Sequence, residues 1–275
     1  MEYLSYAKIN LSLLVTGRRG DRHLLDSVTA TLTLADKMRF EPSDRPSVTV
    51  VRGAAEPPDR TDNALLALTK VREITGQAFA LTVEKNIPDR AGLGGSSSEA
   101  AGILRFARDC LGMPTKKAEE IARSIGADAA VMLKGGFSHM RGTGEQLDSI
   151  TVRTPLYFVL LAGGTVSTRE AFALADGEQS DKSADGNAAL IAALEAGRRP
   201  EQRMLVNDLG KAAETLCPSI ARYRKDLQNA GAYAVGMSGS GSCVFGLFGT
   251  REACEIAAAK LDAPFKTVCG VQNGW

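Results

Sequence analysis

Polar and apolar residues alternate along the N-terminal part of the chain. Ile9, Leu11 and Leu13 are separated by the polar residues Lys8, Asn10 and Ser12. Successive side chains of a strand point to opposite faces, so this spacing predicts a strand over residues 3–16. The same alternation predicts a second strand over residues 27–34. Gly, Pro and charged residues predict loops at 17–21 and 42–46. Shorter apolar runs predict two further strands, at 38–40 and 47–51.

A different spacing follows, in which apolar residues recur every three or four positions. It predicts a helix that Asp62 could cap, which runs to about Thr75 and ends at Gly76. A strand is predicted at 79–84, before a glycine- and serine-rich loop. The helical spacing resumes after that loop and predicts two more helices (96–111 and 115–125). A short apolar segment begins at residues 126–128 and ends at two consecutive glycines.

The second half of the chain begins near residues 153–155, where a proline precedes a strongly apolar run. This boundary predicts one domain over residues 1–154 and another over 155–275. Further elements are predicted by the same reasoning (strand 156–161, loose segment 176–186, helices 187–196, 208–229 and 252–261, strand–loop–strand 232–248, and strand 266–271). Because several strands would pair locally, the pattern favours an α+β fold over a doubly wound parallel sheet.

Composition narrows the class of protein. The 275 residues are 44% hydrophobic and 24% charged, with a formal net charge of +1. Without a dense basic run, nucleic acid is not an expected partner. The five cysteines are scattered and form no Cys-x-x-Cys, which is typical of reduced thiols. No apolar run is long enough to span a membrane, so the sequence predicts a cytoplasmic, soluble protein without a membrane partner.

The glycine- and serine-rich loop at residues 86–101 carries the strongest chemical signal. Glycines allow the backbone to approach a ligand closely, and the following helix N-terminus presents unpaired N–H groups. Together these features are typical of a phosphate-binding loop. No Gly-Lys-Ser/Thr closes it, and Gly92 and Gly94 are followed by Ser97 rather than glycine, so it is neither a Walker A loop nor a dinucleotide fingerprint.

Three separated segments, residues 7–11, 88–101 and 236–242, together resemble the GHMP kinases. That resemblance implies a two-domain α+β fold, with an N-terminal ATP-binding domain of the ribosomal protein S5 domain 2-like type and a ferredoxin-like C-terminal α/β sandwich. Residues 87–101, 126–128, 142–145 and 207–209 resemble the branch of the family that acts on 4-diphosphocytidyl-2-C-methyl-D-erythritol. This second resemblance implies an enzyme that uses ATP and Mg²⁺ to phosphorylate the 2-hydroxyl of this small molecule for isoprenoid synthesis. It also implies a monomer or weak homodimer.

The resemblance also assigns roles to residues. Lys8 and Asp128 would be the catalytic pair, with Asp128 accepting the hydroxyl proton and Lys8 orienting the hydroxyl and stabilising charge. Backbone and side chains of one set would bind ATP (Asn63, Lys85, Pro88, Gly92, Leu93, Gly94, Gly95, Ser96, Ser97 and Ser98). A second set would bind the acceptor (Asn10, His23, Thr168, Phe172, Gly239 and Ser240). Either Ser97 or Ser98 would contact the metal.

Two residues on either side of His23 depart from the branch's pattern. Arg22 stands where a tyrosine would flank the nucleobase, and Leu24 replaces an acidic residue after His23. A GHMP kinase for homoserine, mevalonate or a sugar, and a non-catalytic ATP sensor, therefore stay open. A serine hydrolase is disfavoured because no Gly-x-Ser-x-Gly occurs, and a metalloenzyme because the sequence lacks His-Glu-x-x-His.

Several of these residues also have ordinary structural interpretations. A lysine on a strand is usually a surface lysine, and an aspartate after a glycine often caps a helix. A lone histidine is usually a surface or core residue, and a phenylalanine on a helix is usually core. The small-residue loop at 236–242 would then be only a tight turn. Burial and contacts distinguish these interpretations from the catalytic ones.

Overall fold

Two β-sheets organise the part of the chain that the computed structural model describes, residues 1–51, 62–176, 186–272 and 274. The first sheet has six strands, β1 (Glu2–Arg19), β2 (Arg22–Ser43), β3 (Ser47–Val51), β4 (Ala78–Glu84), β5 (Phe137–Gly142) and β6 (Gln146–Ile150). The second has four, β7 (Tyr157–Ala162), β8 (Ala234–Met237), β9 (Val244–Phe248) and β10 (Phe265–Cys269), in the order β10–β7–β9–β8.

A long antiparallel hairpin, β1 and β2, forms the centre of the first sheet. The two strands predicted at 27–34 and 38–40 are one continuous strand, and the strands extend into the predicted loops at 17–21 and 42–46. The other edge of β2 pairs with β5 over residues 25–30 and with β4 over 37–43, which supports its whole length. Register shifts interrupt the β1–β2 pairing between Tyr6 and Lys8 and between Asn10 and Ser12.

The helices occur mostly where the spacing predicts them. They are α1 (Asp62–Thr75), α2 (Gly95–Leu111), α3 (Thr115–Ile125), α4 (Ala127–Lys134), α5 (Thr168–Ala175), α6 (Ala188–Glu195), α7 (Gly210–Leu216), α8 (Ser219–Asn229) and α9 (Arg251–Lys260). The helical stretch predicted at 208–229 is divided at Cys217 and Pro218, because proline lacks the N–H that a continuous helix needs. The short apolar segment after residue 126 is α4.

Three buried clusters hold the elements together. One lies among α1–α4 and the first sheet, and another lies between the second sheet and the helices of the C-terminal half. The cluster between them combines Ile9 and Val28 of the first sheet with Phe158 and Phe245 of the second. Residues from both halves of the chain thus share one apolar layer, which holds β1 beside the β8–β9 loop.

This architecture of two sheets with packed helices confirms the predicted α+β class. The β5–β6 hairpin is absent from the sequence prediction, because its short strands carry polar and charged residues. Division into domains at residues 154 and 155 and the oligomeric state stay predictions. Most of the predicted loose segment at 176–186 lies outside the described residues. In the described ranges, no helix has the length and apolar character needed to cross a membrane.

Candidate active site

A cavity of about 700 Å³ opens where β1, the loop before α2, the start of α4, α5 and the β8–β9 loop meet. Residues from all three motif segments line it, although they are far apart in sequence. The lining includes these candidate residues: Lys8, Asn10, Pro88, Gly92, Gly94, Gly95, Ser96, Ser97, Asp128, Thr168, Phe172, Gly239 and Ser240. The structure therefore brings most of the predicted site together.

Lys8 and Asp128 form an ion pair in this cavity. Lys8 Nζ lies 3.3 Å from Asp128 Oδ2, and the lysine side chain is 4% exposed whereas that of the aspartate is 35% exposed. The surface-lysine interpretation of Lys8 is therefore wrong. The helix-cap interpretation of Asp128 is also wrong, because Gly126 is the N-cap of α4 and no side chain caps this helix. Asp128 lies in its first turn, where the helix dipole favours a negative charge.

Asn10 lies beside this pair on the same face of β1. Its Oδ1 accepts a hydrogen bond of 2.6 Å from Lys8 Nζ, and its Nδ2 donates to Ser27 Oγ at 2.8 Å. The backbone N–H of Asn10 donates to Ser238 Oγ at 3.1 Å. All of these groups are buried. Asn10 thus connects the lysine to β2 and to the β8–β9 loop.

Three consecutive carbonyls fix the phosphate-loop candidate to its surroundings. The carbonyl of Ala91 accepts from Cys243 N–H, that of Gly92 from Ser238 Oγ, and that of Leu93 from Lys8 N–H, at 3.0, 2.8 and 3.1 Å. These bonds hold the loop's backbone against β1 and the β8–β9 loop, and Gly92, Gly94 and Gly95 line the cavity. A fixed backbone close to the ligand is what anion binding by a glycine loop requires.

Glycine is required at two positions of this loop. Gly92 has φ +76°, and a Cβ there would lie 2.1 Å from the Ser238 carbonyl oxygen. Gly94 has φ +72°, and a Cβ there would lie 2.4 Å from Met132 and 3.3 Å from the Lys8 stem. Arg90 also has a positive φ, 49°, although it is not glycine, and it lines the cavity. Such strained backbone is typical of functional loops.

Helix α2 begins immediately after the loop, and the first backbone N–H groups of a helix have no acceptor within the helix. Ser96 and Ser97 line the cavity there. Ser98 does not, since it is buried and its hydroxyl donates to the Gly95 carbonyl at 2.8 Å. Of the two serines predicted to contact a metal, Ser97 is therefore the one in position to do so.

The small-residue loop between β8 and β9 forms the opposite wall. Gly239 packs against the loop glycine, because a Cβ there would lie 3.2 Å from the Gly92 carbonyl oxygen. Ser240 Oγ lies 2.8 Å from Thr168 Oγ1 at the start of α5. Asn207 donates to the carbonyls of Met237 and Gly239 at 2.8 and 2.9 Å, so it supports the loop rather than a ligand.

His23 and Phe172 form a stacked pair beside the cavity. Their ring centroids are 4.2 Å apart and the rings are inclined by 19°. His23 Nε2 lies 2.9 Å from Asp176 Oδ1, and Arg18 approaches the same carboxylate at 3.4 Å. The residue after His23 is Leu24 rather than an acidic residue, but Asp176 places a carboxylate beside the His23 ring. Arg22 is exposed at the tip of the β1–β2 hairpin.

Besides Ser98, three other predicted ATP-binding residues lie outside the cavity lining. Lys85 Nζ is buried between Asp36 and Glu99, at 2.5 and 2.7 Å, and its side chain is 4% exposed. Leu93 is buried in the core, and Asn63 on α1 is half-buried outside the cavity lining. Lys85 therefore supports the start of α2, where a Cβ at Gly95 would lie 3.3 Å from its ammonium.

The turn between β5 and β6 supports the start of α4. A Cβ at Gly144 would lie 2.1 Å from the Ala127 side chain, which precedes Asp128. The carboxylate of Glu145 accepts from the N–H and hydroxyl of Thr143. Hydrogen bonds from the Glu145 and Thr143 backbone and from the Thr143 and Arg19 side chains lower the pKa of the Glu145 carboxyl to about 2.

The sequence reasoning missed several residues that shape this site. Ser238 and Ser27 carry hydrogen bonds to the catalytic strand, and apolar side chains complete the lining (Leu13, Leu25, Met140, Val166 and Leu209). The alternation of Ser27, Thr29 and Thr31 along β2 was the available signal, since buried polar residues at every second position line one face. Their partners depend on the β1–β2 register, which sequence alone does not give.

A divalent cation is compatible with these residues. Among the described parts of the chain, no group of three or more His, Cys, Asp or Glu side chains could hold a metal without other ligands. Mg²⁺ commonly takes one or two protein oxygens and completes its shell with phosphate and water. The Ser97 hydroxyl, in the cavity lining, suits that role.

The chain matches two family models and is similar to known proteins over nearly its whole length. The model described as the GHMP kinases N-terminal domain matches residues 62–138, and the GHMP kinases C-terminal model matches residues 190–267. A Cereibacter sphaeroides protein named 4-diphosphocytidyl-2-C-methyl-D-erythritol kinase is 36% identical over 94% of this chain and 92% of its own length. A protein of the same name from Desulfitobacterium hafniense is 35% identical, with 94% and 91% covered.

Solved structures give the same result. The crystal structure of a 4-(cytidine 5′-diphospho)-2C-methyl-D-erythritol kinase matches with a TM-score of 0.80, at 30% identity over 100% of both chains. A homoserine kinase from Cytophaga hutchinsonii matches with a TM-score of 0.70 at 17% identity, over 100% of this chain and 95% of its own, and this likeness concerns the fold alone. The shared length and the two family models, together with the three loops assembled around one cavity, show that the chain belongs to the GHMP kinase family.

Proposed function

We propose that this protein transfers the γ-phosphoryl group of ATP to the 2-hydroxyl of 4-diphosphocytidyl-2-C-methyl-D-erythritol. The observation that carries the proposal is the Lys8–Asp128 pair, 3.3 Å apart, in the same cavity as the glycine loop. Two relatives named 4-diphosphocytidyl-2-C-methyl-D-erythritol kinase align with nearly the whole chain. A protein that only bound ATP would have no need of a carboxylate beside a buried ammonium.

The phosphate loop would hold the triphosphate. Three of its carbonyls are bound to β1 and the β8–β9 loop, which fixes its backbone, and the N–H groups from Gly92 to Ser97 would donate to the phosphate oxygens. Phosphoryl transfer needs little covalent participation by the protein, because alignment and charge stabilisation lower most of the barrier. Mg²⁺, held by the Ser97 hydroxyl, would neutralise charge on the phosphate oxygens.

The acceptor hydroxyl would lie between Asp128 and the triphosphate. Its oxygen forms a bond to the γ-phosphorus while the bond to the β–γ bridging oxygen breaks, so ADP leaves and the hydroxyl proton passes to Asp128. The ammonium of Lys8 stabilises the negative charge that develops on the transferring group and the acceptor oxygen. Asp128 is open to the cavity and Lys8 is closed off from water, which suits a proton acceptor and a fixed positive charge respectively.

The cytidyl part of the acceptor would extend toward α5. The hydroxyls of Thr168 and Ser240 line that side of the cavity, and the His23–Phe172 pair flanks it. The two rings already touch, so a base would stack on an outer face of the pair or separate them. Asp176 would hold the His23 ring in position, compensating for the missing carboxylate at Leu24.

Consumption of ATP by the purified protein tests the proposal. The assay compares 4-diphosphocytidyl-2-C-methyl-D-erythritol with homoserine, mevalonate and galactose, in the presence of Mg²⁺. We expect turnover only with the cytidyl substrate. Turnover with another alcohol would retain the kinase chemistry and contradict the acceptor assignment. ATP binding without any turnover would favour a sensor.

A further inference from the structure

The ammonium of Lys8 is held by a chain of hydrogen bonds that continues away from the cavity into the sheet. Lysine has a flexible four-carbon stem, so a catalytic geometry requires partners that restrict its terminal nitrogen. We propose that Ser27 is a positioning residue for Lys8 and acts through Asn10. The inference rests on the proposed phosphoryl transfer for its effect on turnover, but not for its effect on the ammonium itself.

The donor and acceptor capacity of each group determines the direction of every hydrogen bond in this series. An ammonium can only donate, so the Asn10 atom 2.6 Å from Lys8 Nζ must be the amide oxygen. The amide nitrogen is then directed to Ser27 Oγ, 2.8 Å away. Ser27 has a single hydroxyl proton, which it donates to the Ser12 carbonyl at 2.6 Å. Its oxygen therefore faces Asn10 as an acceptor.

The series of hydrogen bonds ends at a backbone group, the Ser12 carbonyl. The pairing of β1 with β2 shifts between Asn10 and Ser12, so the Ser12 carbonyl lies at an irregular point of the ladder and accepts from a side chain. Ser27 pairs with Leu13 and lies on the same face of the sheet as Asn10. Asn10 and Ser27 are almost fully buried, so water cannot readily replace either bond.

Loss of the Ser27 hydroxyl would leave Asn10 Nδ2 buried without its acceptor. An unsatisfied buried amide is costly, and a rotation of the Asn10 side chain that relieved it would withdraw the oxygen from Lys8. Lys8 would then sample orientations that no longer stabilise the transferring phosphoryl group. Binding of ATP would be little changed, because the loop carbonyls are bound by other groups, Cys243, Ser238 and the Lys8 backbone.

The test compares Ser27→Ala with Ser27→Thr, which retains the hydroxyl. We expect Ser27→Ala to lower kcat about tenfold, the equivalent of one hydrogen bond, with the KM for ATP within about twofold of wild type. Ser27→Thr should recover most of kcat. The matched control is Ser138→Ala on β5: Ser138 is equally buried, and within the described ranges its Oγ has no hydrogen-bond partner. It should leave kcat unchanged.

A double-mutant cycle separates positioning from a general loss of stability. If Ser27 acts through Asn10, then adding Ser27→Ala to Asn10→Ala should change kcat less than about twofold. An undiminished tenfold loss in the Asn10→Ala background would overturn the proposal. So would equal losses of kcat in Ser27→Ala and Ser138→Ala that follow the thermal midpoint.

The ammonium can also be observed without turnover. In a ¹H–¹⁵N spectrum of lysine side chains, the Lys8 signal, assigned by its loss in Lys8→Met, should shift or broaden in Ser27→Ala and remain in place in Ser138→Ala. An unchanged Lys8 signal in Ser27→Ala would overturn the proposal. This readout distinguishes the two hypotheses, since a wild-type protein inactive on every alcohol would contradict the proposed function while the shift still reports on the chain of hydrogen bonds.

Discussion

Lys8 Nζ and Asp128 Oδ2 are 3.3 Å apart, although the two residues belong to a strand and a helix that are distant in sequence. The pair is unequal, because the lysine side chain is almost closed to solvent and the aspartate is about one-third exposed. Hydrogen bonding to Asn10 fixes the lysine, whereas the aspartate opens into the cavity. A fixed cation beside an accessible carboxylate gives each residue a separate role in proton transfer and charge stabilisation.

Asp128→Asn should abolish most turnover while ATP still binds. The amide has similar size but cannot accept the hydroxyl proton, so we expect kcat to fall at least about a hundredfold. The dissociation constant of ATP, measured by calorimetry, should change by less than about threefold, because the loop N–H groups are unaffected. Asp148→Asn, at an exposed ion pair with Arg141, is the control and should retain full activity. Normal turnover in Asp128→Asn would exclude its role as the base.

Lys8→Met should lower kcat more than it weakens ATP binding. Methionine retains most of the apolar stem that packs against Gly94 but removes the charge beside Asp128. We expect a loss in kcat of about a hundredfold or more, with a smaller rise in the KM for ATP. Lys37→Met on β2 removes an exposed lysine paired with Glu84 and should have no effect on kcat. A fall in thermal midpoint alone, with normal kcat, would indicate a purely structural lysine.

Periodicity along the chain was sufficient to predict most of the elements. The strand at Ser47–Val51 and the helix at Thr115–Ile125 occur at the predicted positions, since their boundaries depend on local turn and cap residues. The β5–β6 hairpin escaped prediction because its strands have little apolar alternation. Pro218 is a local signal for the end of a helix, and it would have predicted the division between α7 and α8.

The site was predictable in its motifs and not in its contacts. The glycine loop was predicted from its composition and the helix that follows it, Lys8 and Asp128 were assigned by resemblance, and the structure brings all three into one cavity. Lys85 was assigned to ATP, yet it lies in a buried ion-pair network with Asp36 and Glu99. Asp36 becomes its partner only when β2 and β4 pair, and no local pattern encodes that pairing.

Gly92→Ala should disrupt the loop, because a Cβ there would meet the Ser238 carbonyl oxygen at 2.1 Å. Backbone strain alone is not the cause, and Gly112→Ala provides the matched control: its φ is +70°, and no atom of the described residues lies within 4 Å of the added Cβ. We expect Gly112→Ala to lower the free energy of unfolding by about 1–2 kcal/mol with normal ATP affinity. Gly92→Ala should lower ATP affinity at least about tenfold as well. Equal behaviour of the two variants would contradict a close approach of the loops.

Phe172→Ala should weaken binding of the acceptor and leave ATP binding unchanged. The ring lines the cavity and stacks on His23 with the ring centroids 4.2 Å apart. Base–aromatic stacking contributes about 1–3 kcal/mol, so we expect the KM for the cytidyl acceptor to rise about tenfold or more. Leu174→Ala removes an exposed side chain from the same helix and should leave both KM values unchanged. A rise confined to the KM for ATP would place the nucleobase elsewhere.

Glu145 should make the stability of the protein depend on pH in the acid range. Its carboxyl pKa is lowered from 4.5 to about 2, first by hydrogen bonding to its own backbone and then by the Thr143 side chain. A lowered folded-state pKa means that the charged form stabilises the folded protein above about pH 4.5, and that this contribution disappears as the pH falls toward 2. In urea titrations, wild type should therefore be more stable than Glu145→Gln at pH 7, and the difference should shrink between pH 4.5 and pH 2. Thr143→Val, which removes one donor, should show a smaller change of the same sign. A difference that stayed constant over this range would show that the turn beside Ala127 does not depend on the charge of Glu145.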